Sequence, residues 1–141
     1  MVKTRTNTRN HIITIKTIPT EKAGELSFFE SFNDISFEIK RIYYISKVSK
    51  GIRRGFHAHK ELKQLLFCPY GRIRLFLENE HGSDEIELSE PSMGVIIDCP
   101  TWREMLWLED DSVLCVAASD YYDPSDYIRD YDEFKKYLEV K

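Results

Sequence analysis

The chain has 141 residues, 42% of them hydrophobic and 31% charged, with a net charge of −4 at neutral pH. That balance describes one globular domain with a real core, spanning 1–141, rather than a disordered chain or two full domains. The charge argues against a nucleic-acid surface, no apolar run reaches the length of a membrane span, and residues 1–10 lack the apolar core of a secretory leader.

The polar, basic first ten residues are expected to be loose. Strands are then predicted over residues 11–18, 25–32 and 35–45, all rich in β-branched and aromatic side chains. Further strands follow at 62–68, a Pro-Tyr-Gly turn, 72–79, a turn, 85–90, 94–98 and 113–119. Their regular spacing, with no helical pattern between them, predicts an all-β sandwich or barrel. The end of the chain differs: Asp123 reads as an N-cap with Pro124 at the first helical position, and Tyr127, Tyr131, Phe134 and Leu138 recur at helical spacing. A C-terminal α-helix docking on the sheet is therefore expected. Cys68, Cys99 and Cys115 each lie in or beside an apolar run and read as reduced thiols of a cytoplasmic protein.

The chemistry concentrates in RGFHAHKELKQ, residues 54–64. Residues two apart on a strand share a face, so His57 and His59 are expected side by side. Gly51, His57-x-His59, Gln64 and Gly71 reproduce the spacing of the first motif of the cupin barrels, and Gly94 to Pro100 that of the second. Metal-binding cupins carry a glutamate where this chain has Gln64, and a further histidine near where it has Arg103. An amide and a cation are poor company for a divalent ion, so no metal is expected. Two histidines beside Arg54 and Lys60 are also costly to bury idly. Imidazole both takes and returns a proton near neutral pH, which favours a metal-free acid–base pocket.

RGFHAHKELKQLLFC, together with ASDYYDPSDYIRDYDEFKKY, IKRIYYI and PTWREM, strongly resembles the bacterial sugar 3,4-ketoisomerases acting on dTDP-4-keto-6-deoxyglucose, from about residue 11 to the C-terminus. The resemblance implies a cupin jelly roll and a homodimer with exchanged N-terminal strands. It implies a dTDP-linked 4-keto-6-deoxyhexose as substrate, and neither cofactor nor metal. The 3-keto product would feed an aminotransferase making 3-amino-3,6-dideoxyhexoses for surface glycans. His57 and His59 correspond to the catalytic histidines, and Arg54 to the arginine before them. The resemblance associates arginine at position 103 with gluco products and histidine with galacto products, and pairs this choice with arginine or tyrosine just before Gly24; Ala23 is neither, so the C4 configuration is open, with a lean to gluco from Arg103.

Ketone migration from C4 to C3 needs a proton removed from C3, a proton delivered to C4, and donors for an enediolate between the two. His57 is expected as the base and His59 as its orienter or a shuttle between the oxygens, with Arg103 or Tyr43 donating to the oxyanion. Alternation in residues 35–45 places Phe37, Ile39, Arg41 and Tyr43 on one face; an arginine there suits either a pyrophosphate or a structural carboxylate. Gln64 and Lys60 are further expected substrate contacts, and Trp102 is read as barrel lining or a stacking surface. Arg72 and Arg74 are expected to face water. The competing functions are a dTDP-4-keto-sugar 3,5-epimerase, a metal-dependent oxygenase and a non-enzymatic nucleotide-sugar sensor.

Overall fold

The computed structural model describes residues 3–140. The chain runs through β1 (Lys3–Arg5), β2 (His11–Thr14), β3 (Lys16–Thr20), β4 (Gly24–Phe28), β5 (Arg41–Ile45), β6 (Arg53–His59), β7 (Gln64–Tyr70), β8 (Ile73–Asn79), β9 (Gly82–Leu88), β10 (Met93–Ile97), β11 (Trp102–Trp107), β12 (Val113–Ala118) and β13 (Tyr127–Ile128), then the helix α1 (Tyr131–Val140). One sheet has the order β1-β2-β10-β7-β12-β5 and the other β13-β6-β11-β8-β9; β3 and β4 form a two-stranded ribbon of their own. This is the expected all-β jelly roll with a C-terminal helix.

The core is sequence alternation made solid. Ile73, Leu75 and Leu77 of β8 point inward and meet Leu66 of β7, Val95 and Ile97 of β10, and Leu114 and Val116 of β12. Each fully buried side chain of this kind stabilises the fold by about 1.5–3 kcal/mol. The other face of β8 turns out: Arg74 pairs with Glu87 at 3.4 Å, and Arg72, just before the strand, with Glu109 at 2.8 Å, both on the surface. Between β7 and β8 the chain turns at Gly71 (φ 89), where a Cβ would lie 2.0 Å from the Ser112 hydroxyl oxygen. Only glycine fits so close an approach.

Several element expectations need correction. Residues 11–18 do not form one strand: the chain leaves the six-stranded sheet at Ile15, whose N–H bonds to the Ser92 carbonyl at 2.6 Å, and β3 pairs with β4 instead. Residues 35–40 are not strand. Ile35 and Phe37 pack with Leu65, Ile96 and Ile13, covering the outer face of the six-stranded sheet, so their apolar character comes from a strap rather than a ladder. That second cover also explains why Val95, Ile96 and Ile97 are consecutively buried.

The first ten residues are not loose over their described part. β1 pairs with β2, Thr8 and Asn10 are fully buried, and the Asp84 carboxylate accepts from the N–H groups of Asn7 and Thr8. The helix starts later than its apparent cap. Asp123 accepts from the Ser125 N–H and caps only a single 3₁₀ turn, Pro124–Asp126. Tyr127 and Ile128 then pair with β6, and Asp130 begins α1 by accepting from the Glu133 N–H at 3.0 Å. Backbone pairing to an open sheet edge outcompetes the helical pattern here.

Candidate active site

His57 and His59 lie on β6, and the strand is shaped to present them. Gly55 (φ 97) and Phe56 (φ 57) form a bulge opposite Arg103 and Glu104 of β11. A Cβ on Gly55 would lie 2.9 Å from the Arg103 carbonyl oxygen, so the position requires glycine. Bulges of this kind re-aim the side chains beyond them. The two imidazoles end up on one face, their ring centres 5.0 Å apart and nearly perpendicular.

Each ring is held through Nδ1. His57 Nδ1 sits 3.1 Å from the Gly55 carbonyl oxygen, and His59 Nδ1 lies 3.0 Å from an Asp126 carboxylate oxygen. A carbonyl and a carboxylate accept only, so both Nδ1 atoms carry the proton and both Nε2 atoms present a lone pair. Neither Nε2 has a hydrogen-bond partner, although both are buried. Asp126 is itself fixed, because its other oxygen accepts from the Glu61 N–H at 2.8 Å.

Arg103 reaches the histidines from β11, in register with His57, and is 2% exposed. Across the sandwich, Gln64 on β7 and Tyr43 on β5 complete the cluster. Arg103 donates to the Gln64 side-chain oxygen, and the Gln64 amide nitrogen donates to the Tyr43 hydroxyl at 3.0 Å. Burial, and then the nearby Arg103 cation, push His57 down to about 3. The same two causes, in the same order, lower His59, followed by the neighbouring His57, Arg41 and Arg129. Burial lowers Arg103 to about 10, still cationic at neutral pH, and raises the Tyr43 phenol.

The cluster opens into two adjoining cavities. One, of about 320 Å³, is lined by His59, Lys60, Asp126 and Tyr127; the other, of about 310 Å³, by His57, Tyr43, Arg54 and Arg129. Arg41 and Tyr127 border both. Tyr127 packs on both imidazoles, 4.4 Å from His59 and 5.2 Å from His57 between ring centres, and the Arg129 guanidinium lies 4.2 Å from its ring centre. Arg41 lies over the Tyr43 ring at 5.3 Å. Among the described residues, Arg41, Arg54 and Arg129 have no carboxylate within ion-pair distance.

The structure therefore gathers His57, His59, Arg103, Gln64, Tyr43 and Arg41, with Arg54 and Lys60 exposed at the rims. Trp102 stands apart. Its indole packs on Phe134 and Tyr131 beneath α1 and donates to Glu104 at 3.0 Å, because neighbouring strand positions face opposite ways and Arg103 takes the inward one. Asp126, Tyr127 and Arg129 escaped the sequence reading, which assigned residues from Pro124 onward to a helix. The signal available was the acidic and aromatic density of SDYYDPSDYIRD, well beyond what a docking stripe needs.

Comparison with known proteins decides the family. The FdtA family, described as WxcM-like, C-terminal, matches residues 8–139. A TDP-4-oxo-6-deoxy-alpha-D-glucose-3,4-oxoisomerase of Aneurinibacillus thermoaerophilus is 43% identical over 92% of this chain and 92% of its own. This chain belongs to the sugar 3,4-ketoisomerase family. Among solved ketoisomerases, QdtA of Thermoanaerobacterium thermosaccharolyticum in complex with TDP is 44% identical, with a TM-score of 0.85 over 92% of this chain and 93% of that one. A histidine-to-asparagine mutant of the same enzyme, in complex with TDP-4-keto-6-deoxyglucose, is similar at 43% identity and a TM-score of 0.86, covering 92% and 94%. A dTDP-4-dehydrorhamnose 3,5-epimerase of Elizabethkingia anophelis is only 16% identical, at a TM-score of 0.73 over 90% and 78%; it shares the jelly roll alone. Among the described residues, no helix is long and apolar enough to cross a membrane.

Proposed function

We propose that this chain moves the ketone of dTDP-4-keto-6-deoxyglucose from C4 to C3 through an enediol, giving a dTDP-3-keto-6-deoxyhexose. The observation that carries the reading is the pair of buried Nε2 lone pairs on His57 and His59, both without partners and both bordering cavities. A fixed tautomer with an empty acceptor beside a cavity is the arrangement a general base needs.

His57 Nε2 takes the C3 proton. His59, steadied by Asp126, carries the O3 proton to O4, and His57, now protonated, gives a proton to C4 as the C3 carbonyl forms. The oxidation at C3 balances the reduction at C4, so the chemistry calls for no redox cofactor. Arg103 and Tyr43 supply positive charge and a hydrogen-bond donor to the enediolate, each worth on the order of 10²–10³-fold in rate. Arg41, Arg54 and Arg129, with no carboxylate partner, suit a diphosphate. Its negative charge would offset the Arg103 field and raise both imidazoles toward the range of useful bases. By the family association, Arg103 leans the product toward a gluco configuration at C4, which Ala23 leaves open. Gln64 is an amide committed to Arg103 and Tyr43, so it offers a divalent ion no anionic ligand.

Proton NMR of dTDP-4-keto-6-deoxyglucose mixed with the protein tests this. The expected result is a 3-keto sugar with solvent deuterium at C4, undiminished after treatment with a strong chelator. Deuterium at C5, or activity lost to the chelator and restored by zinc or iron, would overturn the reading. The reading also includes a homodimer. The β3–β4 ribbon exposes Ile18 and Leu26, and an isolated two-stranded ribbon is marginal in water, so a second copy covers it. Since β2 already pairs with β10 of its own chain, strand exchange would fall on this ribbon. Light scattering should give twice the chain mass at micromolar concentration; a monodisperse monomer would exclude the dimer.

A further inference from the structure

We infer that Gln64 is a positioning residue that turns the Tyr43 hydroxyl proton toward the reacting sugar; the inference rests on the ketoisomerase reading above. A guanidinium has donors and no acceptor, so the Gln64 side-chain atom that meets Arg103 is its oxygen. The other end of the amide, the NH₂ group, then faces the Tyr43 hydroxyl 3.0 Å away. That nitrogen has no lone pair to offer, so the Tyr43 oxygen accepts and its own proton points elsewhere.

Tyr43 lines the 310 Å³ cavity together with His57, Arg41, Arg54 and Arg129, and that cavity is where its proton can point. Tyr43 comes from the six-stranded sheet and His57 from the five-stranded one, so a sugar between them meets a base on one side and a donor on the other. Gln64 itself is fully buried, with both ends of its amide engaged, and so it does not touch the sugar. Arg103 thereby fixes Gln64, Gln64 fixes the direction of the Tyr43 O–H, and Tyr43 donates to the enediolate oxygen. The sequence reading treated Gln64 as a substrate contact; its place in the structure is one step behind the contact.

The test is a change that keeps shape and reverses polarity. In Gln64→Glu the carboxylate still accepts from Arg103, but it also accepts from Tyr43 and so draws the phenol proton away from the cavity. On dTDP-4-keto-6-deoxyglucose, kcat should fall about 10²-fold while KM changes by less than about threefold. In a Tyr43→Phe background the same change should cost less than about a further threefold, because the proton it redirects is gone. If Gln64→Glu fails to fold, Gln64→Met removes the orientation without imposing one, and should cost about tenfold in kcat, again only when Tyr43 is present. Retention of kcat within about threefold overturns the inference. So does an equal loss with and without Tyr43, which would mark Gln64 as a packing residue. Failure of the unmutated protein to isomerise the sugar would instead strike the reading of function.

Discussion

Two buried polar clusters meet at Thr101, and they are built on opposite terms. On one side, the Thr101 hydroxyl accepts from Asn10 and Asn79, each at 3.1 Å, and donates to the Cys99 carbonyl. Asn79 also donates to the Thr8 carbonyl at 2.7 Å, and the Thr8 hydroxyl donates to Asp84 at 2.6 Å. On the other side, the Thr101 carbonyl accepts from Arg103, which leads to Gln64, Tyr43 and the histidines. Among the described residues, the buried side-chain nitrogens and oxygens lacking a partner are Arg41 Nε, His57 Nε2, His59 Nε2 and Arg103 Nε. All four belong to the second cluster. An orphaned buried polar atom costs about 1–3 kcal/mol, so a fold tolerates a group of them where something else supplies the partner. The satisfied cluster holds the N-terminal segment to the sandwich, and the unsatisfied one lies where the two cavities meet.

Substitution should separate the two. His57→Asn keeps polarity and much of the volume, and should reduce turnover by about 10²-fold or more while leaving the unfolding midpoint nearly unchanged. His59→Asn should cost about as much, because that ring carries the second proton; a loss under about threefold would leave it only an orienter of its neighbour. Deuterium exchange at C3 distinguishes the steps: it should vanish without the base and persist when only reprotonation is lost. Unfolding of His57→Asn, or full activity, would mean that the histidines merely pack.

The satisfied cluster should answer in the opposite currency. Asn79→Ala strands the Thr8 carbonyl and should lower stability by about 1–3 kcal/mol in urea unfolding, with kcat of the folded protein within about twofold. A large loss of kcat at unchanged stability would erase the distinction between the clusters.

A smaller effect follows from pH. The folded-state pKa of His57 lies near 3, far below the ordinary 6.5, and that of His59 is lowered too. Below pH 6.5 the unfolded chain therefore binds protons that the folded chain refuses. The stability from keeping these rings neutral is fully present above pH 6.5 and is lost as pH falls toward the folded values. From pH 7 to pH 5 the loss should be at most about 2 kcal/mol per histidine. His57→Asn should flatten that slope; an unchanged slope would show that other groups set it.

Much of the site was legible in the sequence because strand periodicity is local. The i, i+2 spacing of His57 and His59, and of Arg41 and Tyr43, is enough to put each pair on one face, and both pairs lie so. The alternation in β8 likewise placed Ile73, Leu75 and Leu77 inside and Arg74 outside. Trp102 failed because a one-residue shift on a strand reverses the face, and nothing nearby sets the register of WREMLW.

By itself, then, the sequence determined the class of fold, the face that carries the histidines and the absence of a carboxylate at position 64, since each is a matter of neighbours along one strand. The pairing of β13 with β6, which delivers Asp126 to His59 and Tyr127 to both rings, was decided only in three dimensions. So was the chain from Arg103 through Gln64 to Tyr43, which crosses from one sheet to the other. Spacing along a chain fixes directions within an element, but a hydrogen bond between elements depends on which edges and faces the closed sandwich brings together.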